Sequence, residues 1–178
     1  MSGKPYGMLL AGAIAGLSAG FAQAQEFGAR LNGFEELGAL NAQTGAILSG
    51  GKGKHSLDVD PTQITYRLTY SGLRAPVTQA HIHFGKIHVA GGVMVFFCTN
   101  LGNGPAGTPT CPANGGTVTG TWTAASVVGP ASQNVPPGSF DAVVSALNSN
   151  TAYANIHTTK FPAGEIRGQV RRGDRDDD

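Results

Sequence analysis

Apolar and polar residues alternate along several short stretches of the chain, most clearly over Gln63–Ser71. There, four apolar or aromatic residues from Ile64 to Tyr70 alternate with polar ones, which is the period of a strand buried on one face. Turns rich in glycine, proline and aspartate separate this run from seven similar ones. Those further predicted strands are Glu26–Asn32, Ala46–Val59, Thr78–Phe84, Val93–Cys98, Gly116–Trp122, Ala152–Thr158 and Glu165–Arg171.

A helical spacing occurs over Phe140–Asn148, where apolar residues recur every three or four positions. Ser139 precedes this run and is a suitable N-cap, because its hydroxyl can accept a hydrogen bond from the first turn. The pattern as a whole predicts a single β-sandwich or β-barrel of about eight strands with one short helix.

The composition agrees with an ordered domain that contains many turns. The 178 residues include 27 glycines and 10 prolines, 13% of residues are charged, and the formal net charge is +1 at pH 7. This near-neutral balance argues against nucleic-acid binding, which needs several Lys or Arg side chains at the phosphates. It also argues against intrinsic disorder, which combines low hydrophobicity with high net charge.

The first 24 residues have the pattern of a secretory signal peptide. Lys4 precedes the uncharged segment Met8–Phe21, and Ala22-Gln23-Ala24 supplies a cleavage motif of small residues. A buried N-terminal helix and a weak membrane anchor are the alternatives, but the segment is short for a membrane span. We therefore expect a secreted or periplasmic protein that begins at Gln25 and has no membrane span after cleavage.

Two boundaries follow from these patterns. The β-domain is expected over residues 25–170, and the charge-rich residues 171–178 are expected to form a disordered tail. Within the domain, Cys98 and Cys111 lie thirteen positions apart and flank a segment rich in glycine and proline. In an oxidising compartment such a pair predicts a disulfide, with a thiolate metal ligand or nucleophile as the alternative.

The histidines are the candidate chemical site. Alternation in the strand Thr78–Phe84 points Ala80, Ile82 and Phe84 to the core and therefore places His81 and His83 on the outer face. The same argument places three more polar side chains and one more histidine outward on the last two strands. These are Asn155, His157, Arg167 and Gln169.

If these strands are neighbours, His81, His83 and His157 form a metal site on the protein surface. Imidazole is the protein ligand that suits copper and zinc, and His88 or His55 is a candidate fourth ligand. The alternative is a structural or recognition network, in which Asn155, Arg167 and Gln169 hydrogen-bond across the strands. An outward-facing Phe96 or Phe97 is expected to shield the histidines.

Several segments also resemble a known family. They are AHIHFG (80–85), GGVMVFFC (91–98), GTVTGTWTAASVVGP (116–130), FDAVVSAL (140–147) and AYANIHTTKFPAGEIRGQV (152–170). Over residues 27–170 the chain resembles the CHRD (chordin-type) domain in its bacterial form. The resemblance implies an exported all-β domain, an immunoglobulin-like or Greek-key sandwich or barrel. The cysteine-rich repeats with which chordin binds growth factors are absent, so that activity is not carried over.

Three functional hypotheses follow. The first is a non-catalytic module that binds an unknown protein or matrix partner or acts as a structural unit, since no G-x-S-x-G nucleophile motif occurs. The second is a copper- or zinc-binding protein that uses His81, His83 and His157. The third is a redox enzyme similar to copper–zinc superoxide dismutase, which also carries an H-x-H pair on a β-barrel, with Arg167 as the candidate arginine beside the metal.

Overall fold

The computed structural model describes residues 1, 3, 25–37 and 45–173. Apart from residues 1 and 3, the predicted signal peptide lies outside the described residues, and so do residues 174–178 of the predicted tail. The described chain forms nine strands and one α-helix. They are β1 (Gln25–Asn32), β2 (Lys52–Val59), β3 (Ile64–Ser71), β4 (Val77–Phe84), β5 (Gly92–Thr99), β6 (Gly116–Trp122), α1 (Phe140–Asn148), β7 (Ala152–Thr158), β8 (Ile166–Gln169) and β9 (Arg171–Arg172).

The strands form one antiparallel sheet in the order β5-β4-β7-β8-β1-β2-β3-β6, with β9 paired to β1. The sheet curves until its two edge strands, β5 and β6, approach each other, so it is nearly closed into a barrel. The predicted all-β fold of about eight strands with one short helix is confirmed, in its barrel form.

Two aromatic side chains bridge the gap between the edge strands. The Tyr66 hydroxyl donates to the Phe97 carbonyl at 2.8 Å, and the Trp122 indole N–H donates to the Phe96 carbonyl at 2.7 Å. The two carbonyls belong to β5, an edge strand that would otherwise expose such acceptors. Side chains therefore complete the hydrogen bonding at this point of the barrel.

The barrel interior is filled by the apolar faces that alternation predicts. Along β3, Ile64, Tyr66, Leu68 and Tyr70 are buried, while the intervening side chains are half-buried or exposed. The pairing of His55 with Leu68 places His55 on the same inner face. The interior is therefore apolar except for a few polar groups, of which His55 is one.

The helix α1 begins and ends where the sequence predicts. Its buried face consists of Phe140, Val143, Ala146 and Leu147, at the predicted spacing. Ser139 occupies the N-cap position but makes no side-chain capping hydrogen bond. After α1, Thr151 N donates to the Ala146 carbonyl at 2.9 Å, which leads the chain directly into β7.

Two strand boundaries differ from prediction. The strand expected over Ala46–Val59 begins only at Lys52, because the chain before it is held as a loop, with Ile47 N bonded to the Gly33 carbonyl at 2.6 Å. The strand expected over Glu165–Arg171 is divided into β8 and β9 at Val170, whose N–H bonds to Ala152 instead. Arg171, the last residue of the expected strand, thus pairs with β1, and the pairing extends one residue further to Arg172.

Cys98 and Cys111 form the predicted disulfide, and both are buried. Asn100 fastens the same segment, because its side chain donates to the Val77 and Cys111 carbonyls and accepts from Cys111 N, at 2.9–3.0 Å. The segment between the cysteines is therefore fixed at β5. In the described part of the chain, no helix has the length and apolar character needed to cross a membrane.

Candidate metal centre

The sheet register brings the three candidate histidines together. β4 pairs with β7 so that His81 is opposite Asn155, His83 opposite Tyr153 and Gln79 opposite His157. β7 in turn pairs with β8, with Asn155 opposite Arg167 and Tyr153 opposite Gln169. Because partners in a register share a face, all the predicted outward-facing side chains lie on one patch of the barrel's outer surface.

This patch is not exposed, which corrects the expectation of a surface site. His81, His83 and His157 are only 2%, 8% and 7% exposed. The ring of Phe96 packs edge-on against the His81 ring, with 4.4 Å between the ring centres. The ring of Tyr153 lies parallel to that of His83, with 4.8 Å between the ring centres. Alternation predicted that Phe96 or Phe97 would face outward over the histidines, and Phe96 does; it did not predict the cover that Tyr153 gives His83.

The imidazole nitrogens converge. His81, His83 and His157 each offer one nitrogen, and these nitrogens lie within 4.8 Å of one another. Two of the rings are already closer, with His81 Nδ1 3.2 Å from His157 Nε2. Nitrogens that bind the same ion at about 2.0–2.1 Å lie ~3.4 Å from one another. The distances between the three nitrogens would therefore shorten by roughly an ångström around a metal.

Backbone carbonyls fix two of the three rings. His83 Nδ1 lies 3.0 Å from the Gly91 carbonyl, and His157 Nδ1 lies 2.9 Å from the Pro162 carbonyl. A carbonyl only accepts, so both Nδ1 atoms carry the proton and both Nε2 atoms keep a lone pair. A metal-binding histidine commonly has this arrangement, in which the second nitrogen donates to a carbonyl.

The same chain of hydrogen bonds leaves two lone pairs without a donor. Since His157 Nε2 is an acceptor, His81 must donate to it from Nδ1, and His81 Nε2 then carries a lone pair. His81 Nε2 and His83 Nε2 are buried and have no hydrogen-bond partner among the described residues. Buried lone pairs without a donor are unfavourable unless a cation or another donor reaches them.

Burial keeps the cluster neutral. Desolvation lowers the pKa of His81 to about 2, with smaller contributions from His157 and His83, and lowers the pKa of His83 to about 3. The pKa of His157 is also lowered, again mainly by desolvation. Neutral imidazole is the form that binds a metal, so at neutral pH no proton has to be removed from a charged ring first.

The supporting polar residues hold the loop that covers His83. Arg167 donates to the Lys86 and Val89 carbonyls at 3.2 and 3.0 Å, and Gln169 donates to the Gly85 carbonyl at 3.0 Å. These carbonyls belong to the chain between β4 and β5, residues 85–91, which we call the β4–β5 loop. The predicted role of Arg167 and Gln169 as cross-strand polar residues therefore includes fixing this loop.

Two buried carboxylates accept hydrogen bonds from Asn155 and Thr158, which lie near His157 in β7, and the sequence analysis did not identify them. Glu36 accepts a hydrogen bond from the Asn155 amide, and Glu165 accepts from Ser49, Thr158 and the Arg74 N–H. No local signal identifies either, because their partners are distant in the chain.

His55 and His88 lie away from the cluster. His55 points into the barrel, where its ring contacts Phe97 at 5.4 Å and neither ring nitrogen has a partner among the described residues. The His88 side chain is 65% exposed on the β4–β5 loop, and its Nε2 lies 3.6 Å from a carboxylate oxygen of Glu35. The structure therefore brings neither candidate fourth ligand to the other three histidines.

Comparison with known proteins agrees with the resemblance in the sequence. The family model of the CHRD domain matches residues 27–170, a span that includes His81, His83 and His157. No curated protein and no solved structure matches the chain. Since the family match covers most of the 178 residues, from β1 to the residue before β9, the chain belongs to the CHRD domain family.

Proposed function

We propose that the chain is an exported, non-catalytic CHRD module that binds one copper or zinc ion through His81, His83 and His157. The observation that supports this function is the buried convergence of three imidazole nitrogens within 4.8 Å. Imidazole ligands suit copper and zinc, whereas calcium and magnesium prefer oxygen. The carbonyl hydrogen bonds at His83 and His157 orient the rings before any ion arrives.

Export is supported by the N-terminal pattern and by the cysteine pair. Residues 1–24 have a signal peptide's sequence, and a disulfide such as Cys98–Cys111 persists mainly outside the reducing cytosol. The proposal predicts that protein recovered from the periplasm or the medium begins at Gln25. Intact-mass measurement tests it, and a mass that includes residues 1–24 would contradict it.

A metal-binding role is favoured over a redox activity because the histidine cluster is enclosed and Arg167 is already hydrogen-bonded to the β4–β5 loop. Superoxide would need an open position on the metal, yet aromatic rings cover His81 and His83. The guanidinium of Arg167 lies over Tyr153 and donates to two loop carbonyls. It is therefore held by the protein and is not free to guide a substrate.

Calorimetric titration of the purified protein with copper in both oxidation states and with Zn(II) tests metal binding. We expect one ion per chain, and we expect His81→Ala and His157→Ala to weaken binding by at least 100-fold. His88→Ala is the matched control, since that histidine is exposed and outside the cluster. Equal and weak binding by the wild type and all three variants would instead favour the hypothesis of a structural or partner-binding module. Metal binding accompanied by superoxide turnover would contradict the non-catalytic role.

A further inference from the structure

We propose that the ion held by the three histidines is monovalent copper, Cu(I), in a three-coordinate site of neutral imidazoles. This inference rests on the proposed metal-binding function and specifies which ion the site prefers. It is argued from the charge of the site, its burial and the surfaces that surround it.

The ligand group offers no negative charge. It consists of His81, His83 and His157 and includes no carboxylate or thiolate from the described residues. On the same face Glu36 and Arg167 interact with each other, and the Glu165 carboxylate accepts hydrogen bonds from Ser49, Thr158 and the Arg74 N–H. An ion that enters the site therefore meets three neutral ligands, none of which offsets its charge.

Because the site is buried, the charge of the ion determines the free-energy cost of its entry. The cost of moving an ion from water into a medium of low polarity rises with the square of its charge, so a divalent ion costs about four times as much as a monovalent one. A carboxylate or thiolate ligand would offset much of this cost for Zn(II) or Cu(II), but this cluster contains neither. The arrangement thus favours the singly charged copper ion.

The surroundings also favour a low coordination number. Zinc completes a tetrahedron with a fourth ligand, and Cu(II) prefers a tetragonal set of nitrogen and oxygen atoms. Here the edge of the His81 ring meets Phe96, and the face of the His83 ring meets Tyr153. On these two sides the cluster is bounded by aromatic rings, and the two histidines outside it, His55 and His88, cannot supply a fourth nitrogen.

The two unpartnered nitrogens indicate where the ion is received. His81 Nε2 and His83 Nε2 are buried lone pairs with no donor among the described residues. Cu(I) accepts lone pairs without bringing the tightly held water shell that accompanies a divalent ion. If His81 instead binds through Nδ1, its proton moves to Nε2 and the ring stays neutral, so no proton is gained or lost.

Competition titrations distinguish this inference from the proposed function. Purified protein is titrated anaerobically with Cu(I), kept reduced by ascorbate, against a chromophoric Cu(I) chelator, and in parallel with Zn(II) and Cu(II). We expect one Cu(I) per chain, bound at least 100-fold more tightly than either divalent ion. Copper K-edge absorption of the loaded wild-type protein should show three nitrogen ligands and the Cu(I) edge.

The possible outcomes separate the two claims. Zn(II) or Cu(II) binding as tightly as Cu(I) would overturn the Cu(I) inference and leave the metal-binding function intact. Failure of all three ions to bind would overturn both. His157→Gln and His81→Asn should lower the Cu(I) affinity at least 100-fold while His88→Ala does not. If a cluster variant fails to fold, the absorption spectrum of the wild-type protein still decides the coordination.

Discussion

The guanidinium carbon of Arg167 lies 3.4 Å from the centre of the Tyr153 ring, and this ring lies nearly parallel to the His83 imidazole, with an interplanar angle of 3°. A cation, a phenol and a metal-ligand candidate are thus stacked in one column, supplied by β8, β7 and β4. The column orients His83 from one side, while the Gly91 carbonyl orients it through Nδ1.

Replacing Arg167 with Lys tests whether this column supports the site. Lysine keeps the charge, but it loses the planar stacking and the two hydrogen bonds to the β4–β5 loop. We expect the free energy of unfolding to fall by about 1–3 kcal/mol and metal affinity to fall by roughly tenfold. Denaturant unfolding and metal titration measure the two effects.

Arg171→Lys is the matched control, since Arg171 is exposed on β9. We expect this variant to match the wild type in both measurements. If Arg167→Lys also matched the wild type, Arg167 would have no positioning role.

The tautomers of the cluster are open to a direct measurement. We expect ¹⁵N NMR of the metal-free protein at pH 7 to show Nδ1 protonated and Nε2 bare in His83 and His157, because each Nδ1 donates to a carbonyl. The exposed His88 provides an imidazole signal from outside the cluster for comparison. Protonated Nε2 in either His83 or His157 would contradict the hydrogen-bond assignment.

The buried His55 predicts a dependence of stability on pH. Desolvation lowers its pKa to about 3, whereas an unfolded histidine titrates near 6.5. Between these pH values the unfolded chain binds a proton that the folded chain does not bind. The free energy of unfolding is therefore highest above pH 6.5 and decreases as the pH falls. By pH 5 the loss from this one residue is about 2 kcal/mol, measurable by urea unfolding at several pH values.

Two substitutions isolate this contribution from that of the histidine cluster. His55→Leu removes the titration and two unpartnered polar atoms, so we expect it to raise stability at pH 7 by about 1–3 kcal/mol. His55→Gln removes the titration but keeps a polar group in the apolar interior. Both should flatten the pH dependence to the same extent, and an unchanged slope in both would show that His55 does not titrate as inferred.

The disulfide predicts a third stability effect. Linking Cys98 to Cys111 closes a loop of 13 positions, which in the chain-entropy model restricts the unfolded state by about 3 kcal/mol. The double substitution Cys98→Ser and Cys111→Ser should therefore lower the midpoint of thermal unfolding clearly. Treating the wild type with reductant should give a similar loss, and no loss in either case would contradict a stabilising role.

The strand pattern predicted that the three histidines point outward, and the pairing of β4 with β7 brings them together. Alternation in β4 and β7 indicates that His81, His83 and His157 point outward, but it does not indicate that these two strands are neighbours. Their burial could not be predicted in this way. It depends on contacts between distant residues, such as His83 with Gly91 and Asn155 with Glu36, which carry no periodic signal.

The remaining differences have the same origin. The late start of β2 depends on a hydrogen bond between Ile47 and Gly33, and the inclusion of Arg172 depends on its pairing with Phe27 of β1. Each is a contact between residues that are far apart in the chain. Sequence patterns describe one segment at a time, so they do not contain this information.

Phe96 takes part both in the hydrogen bonding between the edge strands and in the cover over the histidine cluster. Its carbonyl receives the Trp122 indole at the gap in the barrel, and its ring covers His81. Loosening that gap would shift the backbone that carries the ring and so admit water to the imidazoles. The hydrogen bonding between the edge strands and the cover over a candidate metal ligand therefore depend on the position of the same residue.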